Sequence, residues 1–283
     1  MFESIGRSIS LVKTSWGILM QDKKLLAFPV MSGIISLIVL ATFLLPLFFA
    51  GSLKAAVPGG SLVFYVGLFV FYLVSYFVVI FFNTALITCV NARLNGREMG
   101  IGEALSASLR HLPAILAWAL VSATVGLLLQ VLAEKAGFIG EIAAGLIGGA
   151  WGLVTFFVVP VLMLEEKGVV DSMKESISLI KKTWGESIVG AGSIMLIFMF
   201  IGIIAFLGLL GTMFLQNAVV FWIAIFLFII LVIVLGVVAS AMQGIFVTAL
   251  YQYAKTGTVP SAFDKDQIAS AFVAKPASKV GNI

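Results

Sequence analysis

The chain has 283 residues, of which 61% are hydrophobic and 11% charged, with a mean hydropathy of +1.19. A soluble domain carries roughly 25% charged residues, so this composition excludes an ordinary water-soluble fold, and the apolar surplus must face lipid. The net charge of +4 comes from scattered Lys and Arg with no dense basic run interleaved with aromatics, which excludes a nucleic-acid groove.

Residues 1–27 mix polar and apolar positions. Ile5, Ile9, Val12 and Trp16 step by four, three and four, the spacing of one apolar stripe on a helix, with Lys and Ser opposite. A first apolar span follows at 28–50. It is longer than the roughly 7–15 residues of a signal-peptide core, so the expectation is a retained span. Further spans are expected at 62–90, 112–132, 139–163, 188–213 and 219–250, each long enough for a hydrocarbon core of about 30 Å. The second and sixth exceed an upright crossing and are expected to tilt or project. Pro29 and Pro113 fall at span starts, where a missing N–H is tolerated. Pro46 and Pro160 fall inside spans and predict kinks. Cys89 lies near the end of the second span and reads as a small buried hydrophobe; a single cysteine excludes an internal disulfide or a multi-cysteine metal site.

Lys and Arg set the orientation. Fifteen fall in the N-terminal lead, the segments after spans two and four, and the tail; only Lys54 and Lys135 fall on the other side. This predicts both termini in the cytoplasm and an even number of spans, with short outer loops at 51–61, 133–138 and 214–218.

The sequence repeats itself. Ser8 to Gly17 recurs as Ser176 to Gly185 with seven of ten positions identical, and Met173, Ile177, Ile180 and Trp184 rebuild the stripe. A weaker copy begins at Gly100, where Gly100 to Leu105 parallels Gly168 to Met173, and Leu105, Leu109 and Leu112 continue it. The ends of spans two and six also align, with Thr88 on Thr248. The reading is an all-α integral membrane protein of about six transmembrane helices in three hairpins, each preceded by a cytoplasmic interfacial amphipathic helix. One membrane domain covers 1–272, in units of roughly 1–92, 93–165 and 166–256, and 273–283 is a flexible tail. Such helices place Lys near anionic headgroups and Trp at headgroup depth. The candidate lipid-headgroup residues are therefore Lys13, Trp16, Lys23, Lys24, Arg110, Lys181, Lys182 and Trp184.

No ionisable residue falls at midspan, where function would have to justify its cost. Glu134 and Glu141 flank an outer turn, and Arg110 and His111 sit at the entrance to span three. His111, the only histidine, lacks companions spaced as metal ligands or as an aligned catalytic partner, and with Glu103 and Arg110 it reads as a solvated interfacial face. Glu165, Glu166, Asp171 and Glu175 lie beside four lysines and read as surface pairs. Gly145, Gly148, Gly149 and Gly152 form small-xxx-small pairs in span four, which suit close helix packing, within the chain before dimerisation. No catalytic residue, cofactor or metal is expected.

The stretch Asp22-Lys23-Lys24-Leu25-Leu26-Ala27-Phe28-Pro29-Val30-Met31-Ser32-Gly33 resembles the opening of a prokaryotic family of uncharacterised membrane proteins, domain of unknown function 6159. The tail supports this with Ala249 to Ala254, Thr256-Gly257, Val259-Pro260 and Phe263-Asp264. The resemblance covers essentially the whole chain, is most specific in the first 50 and last 40 residues, and implies no assigned activity. A looser likeness runs to the membrane domain of some glycerophosphodiester phosphodiesterases, without their catalytic barrel. Thr256-Gly257 reads as a helix stop with a left-handed glycine.

The functional expectation is a non-enzymatic scaffold, accessory or lipid-interacting protein of a prokaryotic plasma membrane. Its partners would be the bilayer, with anionic lipids at the cytoplasmic face, and a second copy or a cytoplasmic protein. The alternative is a transporter or channel for a neutral or lipid-like solute, which predicts a polar-lined cavity between repeats.

Overall fold

A computed structural model describes residues 13–49, 62–182, 184–215 and 217–257. Every regular element among them is helical. Helix α1 spans 13–21, and a 3-10 turn over Lys23–Leu26 leads into α2 (Ala27–Phe49). Then come α3 (Leu62–Leu94), α4 (Ile101–Arg110), α5 (Leu112–Val154), α6 (Val158–Leu164), α7 (Val169–Lys182), α8 (Trp184–Met213) and α9 (Ala218–Thr256). Six segments are long and apolar enough to cross a bilayer: Lys23–Pro46, Leu62–Leu94, Leu112–Lys135, Gly137–Leu164, Ile194–Met213 and Ala218–Thr256. The chain is an all-α membrane protein.

The span boundaries have local causes. Asp22 caps the 3-10 turn through its carboxylate, which accepts from the Lys24 N–H at 3.3 Å. Pro29 is the third residue of α2, where its missing N–H leaves no intrahelical bond unmade. Asn217 caps α9 by accepting from the Val219 and Val220 amides. Gly257 ends α9 at φ 68°, its N–H bonded to the Tyr253 carbonyl at 2.8 Å, as the expected left-handed stop requires.

The structure sharpens two expectations about span four. The outer connection expected at 133–138 narrows to a reversal at Gly137, with φ 55° and ψ −141°, between two arms of α5. That conformation is open to glycine and closed to residues with a Cβ. The interior kink expected at Pro160 is instead a full break. Helix α5 stops at Val154, residues 155–157 turn, and α6 restarts at Val158, which puts Pro160 in a first turn. The proline ring clashes with the carbonyl four residues back, so the break falls upstream of it.

The chain forms two compact units: residues 1–26 with 181–283, and residues 27–180. In the second, α3 packs against α2, α4, α5 and α6. Ile80, Ile115, Trp118, Val158 and Leu162 form its core, and Trp118 stacks on Trp151 at 5.9 Å. In the first, α8 packs against α9. Burial is uneven along the long helices. On α3 it runs from Val78 to Leu94, and on α9 from Ala241 to Tyr251. The opening halves leave large apolar side chains exposed, among them Leu62, Val63, Val219 and Trp222.

Candidate functional site

The short helices α1, α4 and α7 show how the segments before the spans are used. In α4 the fully buried positions are Ala104 and Ser108; in α7 they include Ser172, Ser176 and Leu179. The sequence reading set Lys and Ser opposite an apolar stripe turned to the membrane. Of that stripe Leu109 and Ile177 are exposed, as is Trp16 on α1, at 44%, whereas Ile180 is buried; Val170, outside the stripe, is exposed as well. Small hydroxyl residues face the protein because they allow close approach and can bond freed backbone groups.

Ser108 and Ser176, 68 residues apart, each bond into the preceding span, Ser108 to a side chain and Ser176 to backbone groups. The Thr84 hydroxyl donates to the Phe81 carbonyl at 2.6 Å, so the Ser108 hydroxyl is the donor in the 2.9 Å contact between the two side chains. Ser176 bridges the break in span four. Its Oγ donates to the Val154 carbonyl at 2.6 Å and accepts from the Phe157 N–H at 3.1 Å. Both backbone groups would otherwise lie unsatisfied away from water, which is costly.

A cleft of about 570 Å³ opens at this end of α3, α4 and α5. Thr88, Met99 and Ala107 contribute its less polar lining; Arg97, Arg110, His111, Glu103 and Glu166 contribute the rest. Arg97 is placed by the end of α3. Gly96 takes φ 73°, the Gly96 N–H bonds the Arg93 carbonyl and the Arg97 N–H bonds the Ala92 carbonyl, the paired closure of a left-handed helix stop. Glu103, Ala107 and Arg110 share one face of α4. His111 Nδ1 lies 2.9 Å from the Ala107 carbonyl. A carbonyl only accepts, so Nδ1 carries the proton, and Nε2 lies 3.7 Å from the Glu166 carboxylate. Glu166 follows the end of α6 at φ 52°, a left-handed position where glycine is usual.

Around the cleft, opposite charges that can meet do so. Arg93 pairs with Glu98 at 3.8 Å, and Lys174 with Asp171 at 3.3 Å. Lys167 bridges Glu165 at 2.8 Å and Glu175 at 3.3 Å, fastening the α6–α7 connection to α7. The Glu165 carboxylate raises the Lys167 ammonium pKa above its usual 10.5. These are the surface pairs expected of the mixed-charge run.

Of the residues singled out from the sequence, Lys13, Lys23, Lys24, Arg110 and Lys181 are exposed. The side chains of Lys182 and Trp184 lie outside the described residues, as do the stripe positions Ile5, Ile9 and Val12, the loop 51–61 and the tail after Gly257. Arg110 is the one brought into the cleft. Among the described residues the glycine set makes no unusually close helix approach. A Cβ at Gly145, Gly149 or Gly152 would meet open space, and at Gly148 only Leu129 Cδ1 at an ordinary 3.5 Å. The close approach is at Gly126, which the sequence reading missed: a Cβ there would lie 3.2 Å from the Tyr76 hydroxyl oxygen. Cys89 is buried, with Sγ 3.7 Å from the Met99 carbonyl. At the other end of α3 the Tyr65 hydroxyl lies 3.5 Å from Glu134, which also accepts from Gln130 at 2.9 Å. No group of metal-ligating side chains occurs among the described residues.

The sequence pattern of a family of unknown function (DUF6159) matches residues 62–261. No curated protein and no solved structure matches the chain.

Proposed function

Since the chain belongs to this family of unknown function, DUF6159, its role must be argued from the molecule itself, and we propose that it is a multi-pass protein of a prokaryotic plasma membrane that engages lipid headgroups without catalysis, as a scaffold or accessory. Both termini lie in the cytoplasm on this reading, and α1, α4 and α7 are repeated interfacial helices along its inner face. The observation that carries it is the joint exposure of apolar and cationic side chains on these helices: Trp16 beside Lys13, Leu109 beside Arg110, and Val170 and Ile177 near Lys174 and Lys181. Water would favour only the charges. Headgroup depth suits both, with the apolar side chains reaching acyl chains and the cations reaching phosphates. Ser108 and Ser176, 68 residues apart as Gly100 and Gly168 are, each bond into the preceding span, which supports the repeat.

The test is the lipid that travels with the protein. Extracted in polymer nanodiscs, the wild-type protein should carry more anionic lipid than the bulk membrane. A variant with Lys13, Lys23, Lys24, Lys181 and Lys182 changed to Gln should lose that enrichment. Equal lipid composition in the two preparations would refute the reading.

A second reading has one observation in its favour. An apolar cavity of about 530 Å³ lies between α2 and α3, against Phe43, Pro46, Phe64 and Phe71, and suits a lipid-like solute. Protein-dependent flip of a fluorescent lipid in proteoliposomes, sensitive to Gly67→Leu in that cavity, would favour transport over scaffolding.

A further inference from the structure

The cleft at α3, α4 and α5 holds an unusual balance of charge. Arg97 and Arg110 make no ion pair among the described residues, and neither does Glu103. The one approach of ionisable partners across it is the long 3.7 Å separation of His111 Nε2 and the Glu166 carboxylate. Two guanidiniums and two carboxylates thus line one concavity without closing on each other, although Arg93 and Glu98 next to them do pair.

We infer that this cleft binds a phosphate ester that also carries a primary ammonium group, the chemistry of a phosphoethanolamine headgroup; the inference deepens the lipid-engaging role proposed above and rests on it. Guanidinium groups present forked N–H donors that match phosphate oxygens, and charge-assisted bonds of this kind are the strong ones. Arg97 and Arg110 supply them. Glu103 and Glu166 supply acceptors for the three N–H donors of an ammonium. A simple anion fits less well, because both carboxylates would repel it. A quaternary ammonium also fits less well. It has no N–H to donate, and none of the lining residues is Phe, Tyr or Trp, the ring faces that hold such cations best. The position suits a headgroup, since the cleft borders α4, whose Leu109 is exposed beside Arg110.

The experiment uses the full-length protein, washed free of lipid in detergent and examined by native mass spectrometry. It is offered equal amounts of phosphatidylethanolamine, phosphatidylcholine and phosphatidylglycerol, and separately soluble phosphoethanolamine. In the lysine-to-glutamine variant described above, which lacks the anionic-lipid contacts, phosphatidylethanolamine should be retained about tenfold more than the others, the factor expected from one charge-assisted hydrogen bond. Arg97→Gln and Arg110→Gln should each reduce retention of the phosphate-bearing ligand. Glu103→Gln should keep phosphate binding but erase the preference for the ethanolamine lipid over phosphatidylglycerol, a change of selectivity that a folding defect would not produce. Lipid preference without response to the soluble compound assigns the site to the bilayer; saturation by soluble phosphoethanolamine without lipid preference assigns it to a free phosphate ester. Equal retention of all three lipids with no response to the soluble compound overturns the inference, as does a Glu103→Gln protein with unchanged selectivity. The lysine-to-glutamine variant described above leaves the cleft intact. It should keep this selectivity even if anionic enrichment fails, and the Arg97→Gln and Glu103→Gln proteins should keep anionic enrichment even if selectivity fails.

Discussion

Ser176 fills a backbone gap opened by Pro160. Its hydroxyl serves the Val154 carbonyl and the Phe157 amide together, and loss of a buried bonding partner costs about 1–3 kcal/mol. Ser176→Ala should therefore lower the unfolding free energy in detergent by that amount, whereas Ser178→Ala, at an exposed position of the same helix, should be neutral; equal effects would show the bridge to be unimportant. Gly137 makes a second residue-scale case. A Cβ there meets no atom, so Gly137→Ala isolates the backbone cost of φ 55° and ψ −141°, about 1–3 kcal/mol. Gly145→Ala, also in open space but in ordinary helix, should be neutral or slightly stabilising, and a thermal-unfolding comparison of the two decides it. The sequence hid most of this. Serine is compatible with a solvated helix face, and nothing in a run of small residues tells which of them has a neighbour opposite. The partner of Gly126 is Tyr76, fifty residues away, while among the described residues the more regular glycine pattern at 145–152 meets only Leu129, at Gly148.

At the scale of elements, the connection from α6 to α7 depends on Lys167. Its ammonium ties Glu165, at the end of α6, to Glu175, on α7. Lys167→Met should raise amide exchange across 165–172 several-fold, while the melting temperature should barely move, because ion pairs still reached by solvent contribute little to global stability. The pH dependence has a definite sign. The folded-state pKa lies above the free value of 10.5 because of Glu165, so the contribution is fully present below pH 10.5 and is lost as pH rises through the higher folded value. Wild-type exchange across this segment should therefore be protected equally at pH 7 and pH 9, relative to the variant. Element boundaries were the most legible feature, since uninterrupted apolar length declares a span and Gly257 declares its end. The cleft was not legible. Thr88, Arg97, Glu103, His111 and Glu166 come from four stretches of chain; Thr88 alone reads as the end of a span, and each of the others as a solvated residue beside the membrane.

On the scale of the whole molecule, the split of cations predicts sidedness. Cysteine introduced at Lys13 and at Lys135, both exposed, should react with a membrane-impermeant maleimide from opposite sides of sealed vesicles. The native Cys89 is buried and contributes little background. Labelling of both positions from one side would reject the arrangement. The unequal burial along α9 has a further consequence, for tolerance to mutation. Residues such as Val219, Trp222 and Phe226 touch little of their own chain, whereas Met242 and Ile245 are fully enclosed. Truncating either of the latter to Ala should cost about 2–5 kcal/mol, while exchanging one apolar side chain for another near the start of the helix should go almost unnoticed. A saturation library across α9 would accordingly show a ramp, permissive at its beginning and restrictive toward Tyr251, so that selection can rewrite one half of this helix freely while the other half is held to its present shape.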